Sequence, residues 1–238
     1  MEGRDREGVR FVSGAGSAFL MVELIIFDAD GVLFDSVDAN IAYYNAIFAE
    51  IGEPPLTPVE EREGIYYAAI QMFERRAGAD LEKLRRMKEV ARSLDSAPFF
   101  RLLRTPFALR PFMLELKRRF KLGLATNRST TVPDLIEFLE LSEVFDAVAS
   151  ARDKVRPKPA PDILELCLQR AGVASDRAVY VGDSHIDREA AAAAGVRFIG
   201  VGDRVAHDEL IAHIGELPGH LAPLIAEAAA RAATSSSR

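Results

Sequence analysis

Asp28 and Asp30 stand one residue apart, between the apolar run Leu24-Ile25-Ile26-Phe27 and Gly31. Carboxylates this close repel one another unless a cation or a shared proton lies among them. Such a pair is costly in a core and useful in a catalyst. Three further segments carry groups of the same kind. Thr126, in Ala125-Thr126-Asn127-Arg128-Ser129, brings a hydroxyl. Lys158, in Arg156-Pro157-Lys158-Pro159-Ala160-Pro161, brings an ammonium on a proline-stiffened loop. Gly182-Asp183-Ser184-His185-Ile186-Asp187 brings two more acids.

Charge limits what such a set can do. Asp28, Asp183 and Asp187 against Lys158 leave an excess of about two negative charges, even with Asp30 protonated. A divalent cation corrects it. All-oxygen donors without a histidine or cysteine pair favour Mg²⁺ over zinc. With Lys158 and the Thr126 hydroxyl, that ion can neutralise a phosphoryl group held beside Asp28. A carboxylate there can attack phosphorus and form an aspartyl-phosphate. Asp30 can protonate the leaving oxygen and then deprotonate the attacking water.

These residues act together only if the fold gathers them. The run before Asp28 reads as a buried parallel strand. Four more runs read as strands: Lys121–Ala125, Phe145–Ala149, Ala178–Val181 and Arg197–Val201. Helical spacing between them predicts helices over Met113–Arg119, Pro133–Leu139, Pro161–Ala171 and Asp187–Ala194. Gly172 and Gly195 stand where helices end. This alternation predicts a Rossmann-like α/β core, a parallel sheet with helices on both faces. Each chemical segment leaves a strand at its carboxyl end, the edge where open α/β sheets bind ligands.

One stretch breaks the alternation. From Val37 to Thr105 no strand is legible, only helical segments over Ala39–Ile51, Pro58–Arg76 and Leu81–Leu94. A connection of roughly seventy residues is far longer than a crossover needs, so it reads as an all-helical cap inserted over the sheet edge. The expected division is a core over 21–36 and 106–230 and a cap over 37–105. Residues 1–20 read as a flexible extension and 231–238 as a frayed tail.

Composition narrows the class. A formal charge of −6 and a pI near 5.4 give no footprint for nucleic acid. No apolar run has the length of a membrane span. The single cysteine, Cys167, excludes an internal disulfide, fits a reducing cytoplasm and reads as a core residue. The expected partner is a small phosphate ester, and the chain is expected to be a monomer or homodimer.

The ordered motifs Asp28-Ala29-Asp30-Gly31-Val32-Leu33-Phe34-Asp35-Ser36, Ala125-Thr126-Asn127, Lys158-Pro159-Ala160-Pro161-Asp162 and Gly182-Asp183-Ser184…Asp187 resemble the haloacid dehalogenase-like hydrolase superfamily. The likeness runs over about 22–202 and leans to its phosphoglycolate phosphatase-like and phosphomutase-like branch. It implies that Asp28 is the nucleophile and Asp30 the general acid/base. It implies phosphate binding by Thr126, Asn127 and Lys158. It implies Mg²⁺ held by Asp28, the Asp30 carbonyl and Asp183, with Asp187 in support. The implied reaction is hydrolysis of a small phosphorylated metabolite: phosphoglycolate, a sugar phosphate or a nucleotide.

Plainer readings compete at several positions. Thr126 could cap the following helix, although Ser129, Thr130 and Thr131 are there to do so. Ser184 and Asp187 have the spacing of a capping box, which is compatible with metal support. His185 reads as an exposed residue. Arg75, Arg76, Arg85, Arg86, Lys88 and Arg92 read mainly as a solvated face, from which one or two could reach an anionic substrate.

Two rival functions remain. The sugar-phosphate mutases of the resembling branch usually place a histidine twelve positions after the nucleophile, where this chain has Asn40. A phospho-accepting signalling module gathers similar groups, but is about half this length and lacks the insertion.

Overall fold

The computed structural model describes residues 22–64 and 67–222. The expected extension over 1–20 and tail over 231–238 lie outside the described residues. Six parallel strands form one sheet in the order β3-β2-β1-β4-β5-β6. They are β1 (Leu24–Phe27), β2 (Lys121–Thr126), β3 (Ala147–Ser150), β4 (Ala178–Gly182), β5 (Arg197–Val201) and β6 (Leu210–Ile211). The chain builds outward from β1 through β2 to β3, then returns to β1's other side for β4. The direction therefore reverses at the β1–β4 boundary, and there the crevice beyond the strand ends opens. Ile25 stands level with both Leu122 and Val179, so the three central strands end together.

Alternation along the strands divides the core in two. Ile25, Phe27, Leu122, Leu124 and Val179 face α6 (Leu109–Lys117) and α7 (Val132–Phe138). Leu24, Ile26, Tyr180 and Phe198 face α8 (Asp162–Ala171) and α9 (His185–Ala194). Cys167 lies in this second layer, fully buried, where burial pushes its thiol up to about 12. Gly172 and Gly195 close α8 and α9 in left-handed geometry, as expected.

Among the described residues between β1 and β2 the named elements are all helices: α1 (Val37–Glu50), α2 (Pro58–Glu63), α3 (Ala69–Ala77), α4 (Leu81–Ser93), α5 (Ala97–Phe100) and then α6. Tyr44, Ile47, Phe48, Met72, Phe73 and Met87 give this cap a hydrophobic cluster of its own. The chain leaves and re-enters the core side by side. Asp35 N–H donates to Arg104 O at 2.9 Å and Arg104 N–H to Asp35 O at 3.0 Å.

Three elements differ from expectation. Pro58–Arg76 is not one helix: a capping box of Thr57 with Glu60 starts α2, and Gly64 follows its last turn. β3 begins two residues after Phe145, whose side chain packs on the core instead. The two-residue β6 has too little pattern to announce itself.

Candidate active site

The sheet places every candidate residue at one edge. Asp28 follows β1 and continues the ladder, its N–H donating to Val181 O at 2.9 Å. Thr126 ends β2, and Asp183 follows β4. Lys158 arrives on the loop before α8, and that loop is fastened to β2 by Asn127. The Lys158 N–H donates to Asn127 Oδ1 at 2.8 Å, and Asn127 Nδ2 donates to the Lys158 carbonyl at 3.1 Å. Sequence reasoning gave Asn127 a phosphate role, but its side chain is spent on the Lys158 backbone. Thr126 is buried, and its hydroxyl accepts from the Arg128 N–H at 3.2 Å. It does not cap α7, whose N-cap residue Thr131 makes no side-chain cap bond either.

Lys158 is 1% exposed and is the electrostatic centre of the site. Its Nζ lies 2.9 Å from Asp28 Oδ1, 2.7 Å from Asp187 Oδ1 and 2.8 Å from the Tyr180 hydroxyl. The hydroxyl in turn donates to Asp187 Oδ1 at 2.7 Å. The other Asp187 oxygen accepts from the Ser184 N–H at 3.1 Å, while the Asp187 N–H donates to Ser184 Oγ at 3.3 Å. The capping box and the charge role therefore coexist, one carboxylate oxygen apiece. Burial disfavours the charged lysine, yet Asp187 and Asp28 outweigh it and raise its pKa.

Asp28 is less well provided for. Its Oδ1 is buried and, although close to Lys158, has no aligned hydrogen-bond donor. Burial raises its pKa well above the ordinary range, Lys158 opposes this, and Asp187, Asp30 and Asp183 add to it. Burial, and then Asp187, push Asp183 up to about 7 against the pull of Arg204, which lies 3.0 Å from its Oδ2. Oxygens of Asp28, Asp183 and Asp187 fall within 4.8 Å of one another, a cluster able to hold a divalent cation. Gly31 belongs to the same cradle. Its φ is +73°, and a Cβ there would stand 1.9 Å from Asp183 Oδ2. Residue set, spacing and the orphaned oxygen all fit a hard cation bound by oxygen.

Asp30 has a partner that the sequence did not announce. Arg128 grips it with two nitrogens, Nε to Oδ2 at 2.7 Å and one terminal nitrogen to Oδ1 at 2.6 Å. The same terminal nitrogen donates to Asn40 Oδ1 on α1 at 3.0 Å. Burial opposes ionisation of Asp30, but Arg128, with a hydrogen bond to Ser36, holds its carboxyl below the ordinary range. Arg128 sits directly after Thr126-Asn127, which is the one signal that could have flagged it. Tyr180 was hidden in an apolar run. His185 is exposed at the start of α9 and stands outside the carboxylate cluster.

Above these groups the cap closes a cavity that Asp28, Asp30, Lys158 and Asp183 floor. The family model for the haloacid dehalogenase-like hydrolases matches residues 25–201, which include all four motifs and the cap. The chain belongs to the haloacid dehalogenase-like hydrolases. A Pseudomonas putida phosphoglycolate phosphatase is 28% identical over 187 residues, covering 75% of this chain and 68% of that protein. A subfamily IA hydrolase of the superfamily from Geobacter sulfurreducens superposes with a TM-score of 0.66 at 30% identity, over 88% of this chain and all of that one. CbbY from Rhodobacter sphaeroides, solved with phosphate, gives 0.67 at 27% identity, over 83% of this chain and 96% of its own. This family member is thus an enzyme, with a phosphatase among its relatives. Hydrolases of the family generally use a divalent metal, and the carboxylate cluster could bind one.

Proposed function

We propose that the chain is an Mg²⁺-dependent phosphatase of small phosphate esters that works through an aspartyl-phosphate on Asp28. The observation that carries this is the position of Lys158 Nζ, buried between Asp28 and Asp187 at the edge where the sheet also delivers Asp30, Thr126 and Asp183. Burial and the neighbouring acids favour a protonated Asp28, and the buried Lys158 ammonium opposes them, favouring the ionised carboxylate that attacks. Asp28, Asp183 and the Asp30 backbone would hold Mg²⁺, with Asp187 steadying Lys158. Bound there, the ion supplies charge neutralisation and Lewis acidity at the phosphoryl oxygens.

The remaining steps belong to the protein. An Asp28 oxygen forms the bond to phosphorus as the ester bond breaks, and protonated Asp30 gives its proton to the departing alkoxide. Asp30, now a carboxylate, takes a proton from water. The hydroxide attacks phosphorus, frees inorganic phosphate and restores Asp28 as a carboxylate. Arg128 holds Asp30 in the ionised form that the second half needs, so the first half requires that grip to loosen. The Thr126 hydroxyl and Lys158 bind the phosphoryl group. The cap excludes bulk water while the aspartyl-phosphate forms. The lone buried cysteine and absence of a disulfide suit a cytoplasmic enzyme.

The test is phosphate release from para-nitrophenyl phosphate with Mg²⁺ and with EDTA, for wild type and Asp28→Asn. Wild type should turn over only with the metal, and the variant should lose at least ~10³-fold. Full activity in Asp28→Asn would refute the mechanism.

A further inference from the structure

The floor and roof of the cavity differ in kind. The floor holds the acids and Lys158. The roof presents the rings of Tyr43, Tyr67 and Phe99 beside Asn40 and Ser96. Tyr43 and Phe99 are half-buried and brace one another edge to face, with centroids 5.6 Å apart. Such braced rings offer a flat apolar surface that stacks against another ring.

Cations are scarce around this space. Among the described residues that line it, the only ones are Lys158 and Arg128, and both come from the core. Lys158 is held between Asp28 and Asp187. Arg128 spends its fork on Asp30 and shares a nitrogen with Asn40. Basic residues of the cap are engaged without lining the cavity: Arg75 lies over the Tyr67 ring, 4.1 Å from its centroid, and pairs with Glu63 at 2.8 Å, Arg76 pairs with Glu60 at 2.6 Å, and Arg85 with Glu82 and Glu89. None of the six basic cap residues Arg75, Arg76, Arg85, Arg86, Lys88 and Arg92 lines the cavity.

Asp28, Asp30, Asp183 and Asp187 stand against Lys158, Arg128 and Arg204, the last 3.0 Å from Asp183, which leaves one negative charge in excess. A divalent ion would leave one positive charge, less than the phosphate dianion itself carries, and nothing to offset a second negative group. Such a group would lie against aromatic rings with no counter-charge, an unfavourable burial.

Building on the phosphatase reading, we propose that the leaving group is a neutral alcohol bearing a ring, a sugar or a nucleoside. It is not a short acid or a second phosphate. Tyr43 and Phe99 are the residues that select it.

The experiment compares kcat/KM with Mg²⁺ across six esters: para-nitrophenyl phosphate, a hexose 6-phosphate, a nucleoside 5′-monophosphate, glycerol phosphate, phosphoglycolate and a sugar bisphosphate. The hexose or the nucleoside ester should exceed phosphoglycolate and the bisphosphate by about 100-fold, and glycerol phosphate by about tenfold. Whichever of the two ring esters leads identifies the source of the ring. Phosphoglycolate or the bisphosphate within tenfold of the better ring ester would overturn the proposal. So would glycerol phosphate equal to it. No release from any ester, para-nitrophenyl phosphate included, would instead overturn the phosphatase reading beneath it.

Tyr43→Leu and Phe99→Leu test the two residues. Each should raise KM for the ring ester, so that its loss exceeds the loss on glycerol phosphate by about 5–10-fold. Equal losses on both esters in both variants would overturn the assignment.

Discussion

Replacing Lys158 by methionine keeps the length of a side chain that is 1% exposed and removes only its charge and donors. Asp187 would still accept from the Tyr180 and Ser184 hydroxyls. Asp28 would keep nothing comparable, because its Oδ1 already lacks an aligned donor. Removing one partner of a buried pair costs about 3–5 kcal/mol. For a chain of this size that lowers Tm by about 10 °C. The sign of the pH dependence follows from Asp28. Burial and the neighbouring acids already raise its pKa, and Lys158 alone among these groups opposes them. Without Lys158 the folded pKa rises further above its unfolded value. The variant's stability is then retained at low pH and lost as pH rises through that folded pKa. Thermal unfolding in EDTA should show a deficit that is large at pH 8 and shrinks towards pH 5. Adding Asp28→Asn to the variant should recover roughly half of the pH 8 loss, since the orphaned charge goes with it. A deficit below ~1 kcal/mol at pH 8, or one equal at both pH values, would refute the reasoning.

Gly31→Ala should lower Tm by several degrees and blunt the response to Mg²⁺, because its φ of +73° strains alanine and the new Cβ displaces Asp183 Oδ2 from 1.9 Å away. Unfolding with and without Mg²⁺ checks this, and an undiminished metal response counts against the cradle. In wild type, Asp183 is pushed up to about 7, so metal-free stability from this group is present below the ordinary value of about 3.9 and lost as pH rises through about 7. Metal binding needs the carboxylates ionised, so the rise in Tm on adding Mg²⁺ should grow from pH 5 to pH 8. A pH-independent rise would contradict it.

The sheet was legible because its strands are buried on both faces and read as plain apolar runs, from Leu24–Phe27 to Arg197–Val201. That reading brought the acids, Thr126 and Lys158 to one edge without any knowledge of contacts. What escaped were pairings across long sequence distances. Nothing in the order of residues says that Arg128 closes on Asp30, or that Asn40 on α1 meets the same guanidinium. Tyr180 was invisible for a related reason: in a strand it has the pattern of any core residue, and only its contacts with Lys158 and Asp187 show that its hydroxyl matters. The cap was recognisable by its length and helical periodicity. Its rings could not be assigned to the cavity, because their direction depends on how α1, α3 and α5 pack.

The paired amides of Asp35 and Arg104 have a consequence for descent as well as for shape. A polypeptide that departs and returns through adjacent residues encloses everything between them in a loop whose two ends already touch. Lineages can lengthen, shorten or exchange that loop while leaving the hydrogen bonding of the sheet, and with it the acids at its edge, undisturbed. On the function proposed above, the reaction would travel with one part of the gene, while the choice of molecule would stay open to revision in the other.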